Sequence, residues 1–302
     1  MVLQKNETMK KQLLIFSLRI YLNTLAWVAP GKAGRKGFYL FCNPQRRAVK
    51  PHHLEFLNTA EKFAIDYASK KVQVYKWGMG EKKLLLVHGW ESHSYWWKTI
   101  VTALSREKFT IYSIDAPGHG LSEGSYINIP HYSGLIEKII LELGDIYAVL
   151  GHSLGSFSTM YTMHRAPHLP VSKLVMMAAP GEAKEWVAFY QEFLGLSNRT
   201  MTEIGKFFIE KLGCGPEYFS LQEFAKTMTR PGLIIHDTDD KEAPYRYALE
   251  AHKNWNNSEM ITTSGLGHNL KSMELIKEVE DFLDRDFSQA ERQTSIKEMQ
   301  HQ

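Results

Sequence analysis

From Lys71 onward, short apolar runs alternate with helix-length amphipathic segments, and this rhythm restricts the fold more than any other feature of the chain. Residues 72–77 alternate at period two, while 83–88 form a short apolar run, the pattern of a strand buried on both faces. The segments 109–115, 146–151, 173–177, 232–236 and 260–263 read alike. Helical patterns near 94–106, 131–144, 154–166, 242–254 and 270–285 fall between most of them. Such alternation implies βαβ units, hence an α/β fold with a mostly parallel central sheet flanked by helices. The stretch 181–230 breaks the rhythm. There Trp186, Phe189, Tyr190, Phe193 and Leu194, and later Ile204, Phe207, Phe208 and Leu212, recur at helical spacing, which predicts a helical insertion between two sheet strands.

Composition narrows the function. The 302 residues carry 36 basic against 33 acidic side chains, a net +3 too even for nucleic-acid binding by bulk electrostatics. Two cysteines, Cys42 and Cys214, make no disulfide framework and no Cys-x-x-Cys metal or redox site, which points to a reducing, cytoplasmic setting. Residues 13–29 are the most apolar run, but it is shorter than a bilayer needs and contains Arg19 and Asn23. On a helical wheel Gln12, Arg19 and Asn23 share one narrow stripe with apolar side chains nearly all round. The first reading is a helix packed on the domain surface. The second, favoured by Lys10, Lys11, Lys32, Arg35 and Lys36 at its flanks, is peripheral membrane contact; an anchor or signal comes third.

Gly151-His-Ser-Leu-Gly155 fits the G-x-S-x-G nucleophile elbow. A strand must turn sharply into a helix there so that the Ser153 hydroxyl projects from the tip, and only tiny neighbours fit such a turn. An apolar run precedes the motif and a helical pattern follows, as that geometry requires. A serine hydroxyl needs a base. Among thirteen histidines, His268 follows the last strand-like run on the glycine-rich stretch 265–267. The imidazole in turn needs an acceptor. The acidic run 237–240 follows the penultimate strand, and Asp240 is the choice within it; Asp237 and Asp239 are alternatives and Glu182 a distant rival.

With these motifs in view, the chain resembles the α/β-hydrolase superfamily, in its serine hydrolase branch, over roughly residues 60–285. Four features carry the resemblance: His88-Gly89-Trp90 after a buried strand, Asp115-Ala-Pro-Gly-His-Gly-Leu-Ser122, the elbow at Ser153, and Asp240 followed by His268. The resemblance implies that the backbone N–H groups of Trp90 and Leu154 form the oxyanion hole, and that the loop around His119 is structural. It makes 61–180 with 231–285 the core, 181–230 a cap or lid, 1–60 an N-terminal helical segment and linker, and 286–302 a polar tail. Trp96, Trp97, Trp186 and Tyr190 are candidate pocket walls.

The expected chemistry is hydrolysis of a carboxylic ester or related acyl bond through an acyl-enzyme on Ser153. A small acyl substrate and water are the partners, and no metal or organic cofactor is needed. The aromatic insertion beside an apolar helix favours hydrophobic acyl groups. Serine at the elbow argues against dehalogenase and epoxide hydrolase chemistry, which in similar enzymes uses aspartate. The loop after His88-Gly89 reads Trp-Glu-Ser-His-Ser rather than a glycine run, which weighs against bulky esters, and Asp237 stands where similar enzymes often have glycine. Two other readings stay open: a catalytically silent scaffold that binds a ligand, and carbon–carbon hydrolase or lyase chemistry on the same triad.

Overall fold

A computed structural model describes residues 2–287, so most of the expected polar tail lies outside the described residues. The apolar runs form one eight-stranded sheet: β1 Glu61–Tyr67, β2 Lys70–Trp77, β3 Lys82–Val87, β4 Phe109–Ile114, β5 Ile146–His152, β6 Val171–Met177, β7 Gly232–Asp237 and β8 Ser258–Thr263. Their spatial order is β1-β2-β4-β3-β5-β6-β7-β8. The pairs β1–β2 and β2–β4 are antiparallel, and every pair from β4 across to β8 is parallel. β1 was not anticipated. It is an edge strand whose buried side offers only Phe63, Ile65 and Tyr67 among charged neighbours, so its apolar signal is thin.

Among the described residues the α-helices are α1 Val2–Val28, α2 Pro30–Phe41, α3 Pro51–Leu57, α4 Lys98–Ala103, α5 Ile129–Leu143, α6 Leu154–Arg165, α7 Ala183–Leu194, α8 Asn198–Leu212, α9 Leu221–Ala225, α10 Tyr245–Asn254 and α11 Met273–Asp284. They cover both sheet faces, which explains why β4 and β7 are buried along their whole length. One core cluster joins alternate sheet residues such as Leu85, Val87 and Val149 to α5 and α6, through Leu135, Ile136, Phe157 and Met160. The other joins Leu84, Leu86 and Leu150 to Ile100 and Val101 of α4 and to Val279, Phe282 and Leu283 of α11. The period-two inversion along β3 divides the two clusters.

The 181–230 stretch is helical, as its aromatic spacing predicts, and contains α7, α8 and α9 between β6 and β7. The N-terminal helices pack against it. Gly34 and Gly37 of α2 lie so close to α8 that a Cβ at either would fall within 2.3 Å of the Glu203 carbonyl oxygen or 2.4 Å of the Ile204 side chain. The polar stripe of α1 is turned to the α7–α8 junction: Arg19 Nε donates to the Leu194 carbonyl at 3.2 Å and Asn23 Nδ2 to that of Gly195 at 3.1 Å. Asn23 Oδ1 also accepts from Ser197 N at 2.8 Å and Thr200 Oγ1 at 2.7 Å. These bonds satisfy backbone groups that the end of one helix and the start of the next leave open. Among the described residues, no helix is long and apolar enough to cross a membrane.

Candidate active site

Ser153 sits between the end of β5 and the first residue of α6, with φ 53° and ψ −123°, a conformation that costs an L-residue roughly 1–3 kcal/mol. Its neighbours explain how the turn is tolerated. A Cβ on Gly155 would lie 2.1 Å from the Val87 carbonyl oxygen, so only glycine lets α6 start this close to β3. Gly89 is held equally near: a Cβ there would be 2.9 Å from Ser153 Cβ. The Ser153 amide is fixed by donating to the Met177 carbonyl at 2.9 Å.

Three segments far apart in sequence meet at this turn. His268 Nε2 lies 2.9 Å from Ser153 Oγ, and His268 Nδ1 lies 2.8 Å from Asp240 Oδ2. Since an ionised carboxylate only accepts, Nδ1 carries the proton and Nε2 presents its lone pair to the serine hydroxyl. Asp240 Oδ1 accepts from the amides of Glu242 and Ala243, each at 2.9 Å. Burial works against its charge, but the His268 hydrogen bond and these amides outweigh burial and hold the carboxyl below the usual range.

The neighbouring acids divide another task. Asp237 Oδ2 accepts from Thr263 Oγ1 at 2.7 Å and from Leu266 N at 2.9 Å, and its Oδ1 from Asp239 N at 2.9 Å. Asp239 Oδ2 takes Ser264 Oγ at 3.0 Å and Gly265 N at 2.9 Å. Both hold the loop that carries His268, while Asp240 alone bonds its ring. Glu182 is occupied elsewhere, accepting from Ser220 Oγ at 2.6 Å within the insertion.

Two histidines support this arrangement that the sequence did not assign a part. His152 donates Nε2–H to the His268 carbonyl at 2.8 Å, and its ring stacks on Trp96 with centroids 4.0 Å apart. Burial lowers its pKa to about 3, so the ring beside the serine is neutral. His236 donates Nε2–H to the Ala243 carbonyl at 2.7 Å and lies 3.5 Å from Asp240 Oδ2, backing the acid. For His152 the available signal was its place beside the elbow serine; for His236, the end of a buried strand just before the acid loop.

Leu154 is the first residue of α6, so its N–H has no intrahelical acceptor and belongs to the positive end of the helix dipole beside Ser153. Trp90 follows Gly89 and stands partly exposed at the rim. His88 shapes that loop by donating Nδ1–H to the Gly89 carbonyl at 2.7 Å and accepting the Ala116 amide at Nε2 at 2.9 Å. Asp115 is fully buried and accepts from Ser94 N, Leu121 N and Tyr75 OH at 2.8, 2.8 and 3.1 Å, which anchors the 115–122 loop.

The pocket-wall expectation needs correcting at two positions. Trp97 is wholly buried in the core under the sheet and has no surface to offer a substrate. Tyr190 is committed to α2, donating its hydroxyl to the Gly37 carbonyl at 3.0 Å and packing on Phe41. Trp186 packs edge-on against Phe157 of α6 at 4.9 Å. Trp96 lines a cavity of about 30 Å³ with Ile100, Met177, Leu270 and Leu275, room for roughly one water. No group of three His, Cys, Asp or Glu with metal-ligand geometry occurs among the described residues.

A mostly parallel sheet whose central strand ends in a strained serine, facing a histidine from beyond the last strand, defines the α/β-hydrolase class. Similarity to known proteins agrees. A family model described as serine aminopeptidase, S33, matches residues 80–212. A pimeloyl-[acyl-carrier protein] methyl ester esterase of Nitrosomonas europaea is 33% identical over 96 residues, covering 32% of this chain and 36% of that protein. The chain thus spans little more than a third of the length of that curated relative. In fold, a bromoperoxidase from Bacillus anthracis superposes with TM-score 0.58 at 16% identity, over 75% of this chain and 100% of that one. An esterase from a Rhodococcus species gives TM-score 0.56 at 17% identity, over 74% and 98%. Over residues 80–212 the chain is thus similar to an α/β-hydrolase family, and its fold is that of the α/β-hydrolases.

Proposed function

We propose that this protein hydrolyses a carboxylic ester or related acyl bond with Ser153 as nucleophile, His268 as base and Asp240 as the acid that orients it. The observation that carries the reading is the unbroken relay from Asp240 Oδ2 to His268 Nδ1 at 2.8 Å and from His268 Nε2 to Ser153 Oγ at 2.9 Å. His268 Nε2 takes the hydroxyl proton as Oγ attacks the acyl carbonyl, and the imidazolium is stabilised by the Asp240 carboxylate. The Leu154 and Trp90 amides receive the negative oxygen of the tetrahedral intermediate, an effect on the order of 3–4 kcal/mol for each donor. The proton then passes from Nε2 to the leaving alcohol, and water repeats the sequence to free the acid and Ser153. The esterase named among the relatives supports an ester as the bond, and α7–α9 are read as the lid over the acyl group.

The test is labelling by a fluorophosphonate probe followed by a panel of nitrophenyl esters, thioesters and amides. Wild-type protein is expected to label and to turn over the esters, and Ser153→Ala to lose labelling and at least ~10⁴-fold in turnover. A folded wild-type protein that neither labels nor hydrolyses any ester would make the chain a silent scaffold.

A further inference from the structure

Helix α1 is apolar on the side that packs against the protein and apolar again on the side that faces out. Leu22 and Ala26 are buried, yet Leu13, Phe16, Ile20 and Trp27 are 64%, 54%, 51% and 70% exposed. At about 100° per residue these four fall within an arc of roughly 60° on the outward face. Beside α1, α7 also exposes Phe189 and Phe193, stacked on each other with ring centroids 5.8 Å apart. A soluble surface helix is expected to turn charged or polar residues outward, so this face needs an apolar occupant.

Charge says which occupant. Residues 8–54 contain nine Lys and Arg and no Asp or Glu, although the whole chain is only +3, and six of the nine lie on α1 and α2. Lys10 and Tyr21 fall on the flank of α1 next to the patch, and Lys36 of α2 lies 5.4 Å from the centroid of the Tyr21 ring. A second copy of the chain would bring the same cations against themselves. An anionic bilayer surface instead offers acyl chains to the apolar side chains and headgroup charge to the lysines. Trp27 and Tyr21 add the amphipathic rings that settle at headgroup depth.

We propose that the outward face of α1 docks flat on an anionic lipid bilayer, with Leu13, Phe16, Ile20 and Trp27 entering the acyl boundary and Lys10 and Lys36 meeting the headgroups. The inference stands on the surface alone and does not depend on the catalytic reading.

The experiment is flotation of the full chain with vesicles of phosphatidylcholine alone and with 30% phosphatidylglycerol, together with quenching of tryptophan fluorescence by brominated lipid. Wild-type protein is expected to float with the anionic vesicles, to be released by high salt, and to be quenched. Phe16→Ser with Ile20→Ser should abolish flotation. Lys10→Gln with Lys36→Gln should lower partition by roughly 30-fold at low salt. Every substituted side chain is exposed, and helical circular dichroism with a thermal unfolding midpoint reports that the variants remain folded. Absence of flotation on either vesicle, or wild-type partition in the folded Phe16→Ser, Ile20→Ser variant, overturns the proposal. So does a vesicle-indifferent dimer that the same substitutions break, which would make the occupant a second copy.

Discussion

Asp240 places one carboxylate oxygen 2.8 Å from the Nδ1 of His268, whereas Asp237, three residues earlier, gives both of its oxygens to Thr263, Asp239 and the loop amide of Leu266. Substitution separates the two roles. Asp240→Asn removes the acceptor that sets the His268 tautomer and is expected to lower kcat by roughly 10³–10⁴-fold with little change in KM. Asn at 237 should act on the loop rather than on the ring. An amide NH₂ there would face a donor, leaving a buried group unpaired at about 1–3 kcal/mol and loosening the loop beneath His268. Asp237→Asn should therefore lower the thermal midpoint and affect activity only moderately. Steady-state kinetics beside thermal unfolding decides, and a reversed pattern would exchange the assignments.

The parallel sheet, the insertion and the Ser153–Asp240–His268 set were legible because each has a local signature: buried runs, aromatic helical spacing, and a glycine-framed turn. What stayed hidden depends on contacts between distant segments. Nothing in the sequence near Asn23 announces that it caps Gly195, and the neutral His152 and His236 gain their parts only from burial and from carbonyls many residues away. Trp97 and Tyr190 looked like pocket walls because aromatic type does not say whether a ring faces a ligand or the core.

His88, His119 and His152 are buried and their pKa values are each lowered to about 3. In the unfolded chain each takes a proton near pH 6.5. Between those values the unfolded state binds up to three protons that the native state refuses, so stability is present in full above pH 6.5 and is lost as pH falls. The limiting slope is about 4 kcal/mol per pH unit. Urea midpoints measured from pH 7 down to 4.5 should fall steeply, with unfolding near pH 4 for a domain of ordinary stability. A flat profile between pH 6 and 5 would mean that these rings are not held neutral.

Two glycines in helices should respond oppositely to alanine. At Gly155 a Cβ would meet the Val87 and His88 carbonyl oxygens at 2.1 and 2.6 Å, so Gly155→Ala must push α6 from β3 and displace the Ser153 turn. Loss of several kcal/mol and of probe labelling is expected. Gly205 in α8 has nothing within 4 Å and no positive φ, so Gly205→Ala should stabilise by about 1 kcal/mol. Chemical denaturation of both variants gives the comparison.

The junction between α7 and α8 depends on one side chain from α1. Asn23→Ala removes the donor to the Gly195 carbonyl and the acceptor for Ser197 N and for Thr200 Oγ1, the last on a fully buried residue. Water can reach the more open of these groups and the Thr200 hydroxyl keeps Ser197 Oγ at 2.9 Å, so the loss is expected at about 1–2 kcal/mol. Because the bonds hold the insertion to the N-terminal helix rather than to the sheet, local opening should precede global unfolding. Hydrogen exchange in the variant should quicken at 194–200 and along α1 while β3, β5 and β6 keep their protection. Uniform acceleration across the sheet would show instead that α1 is integral to the core.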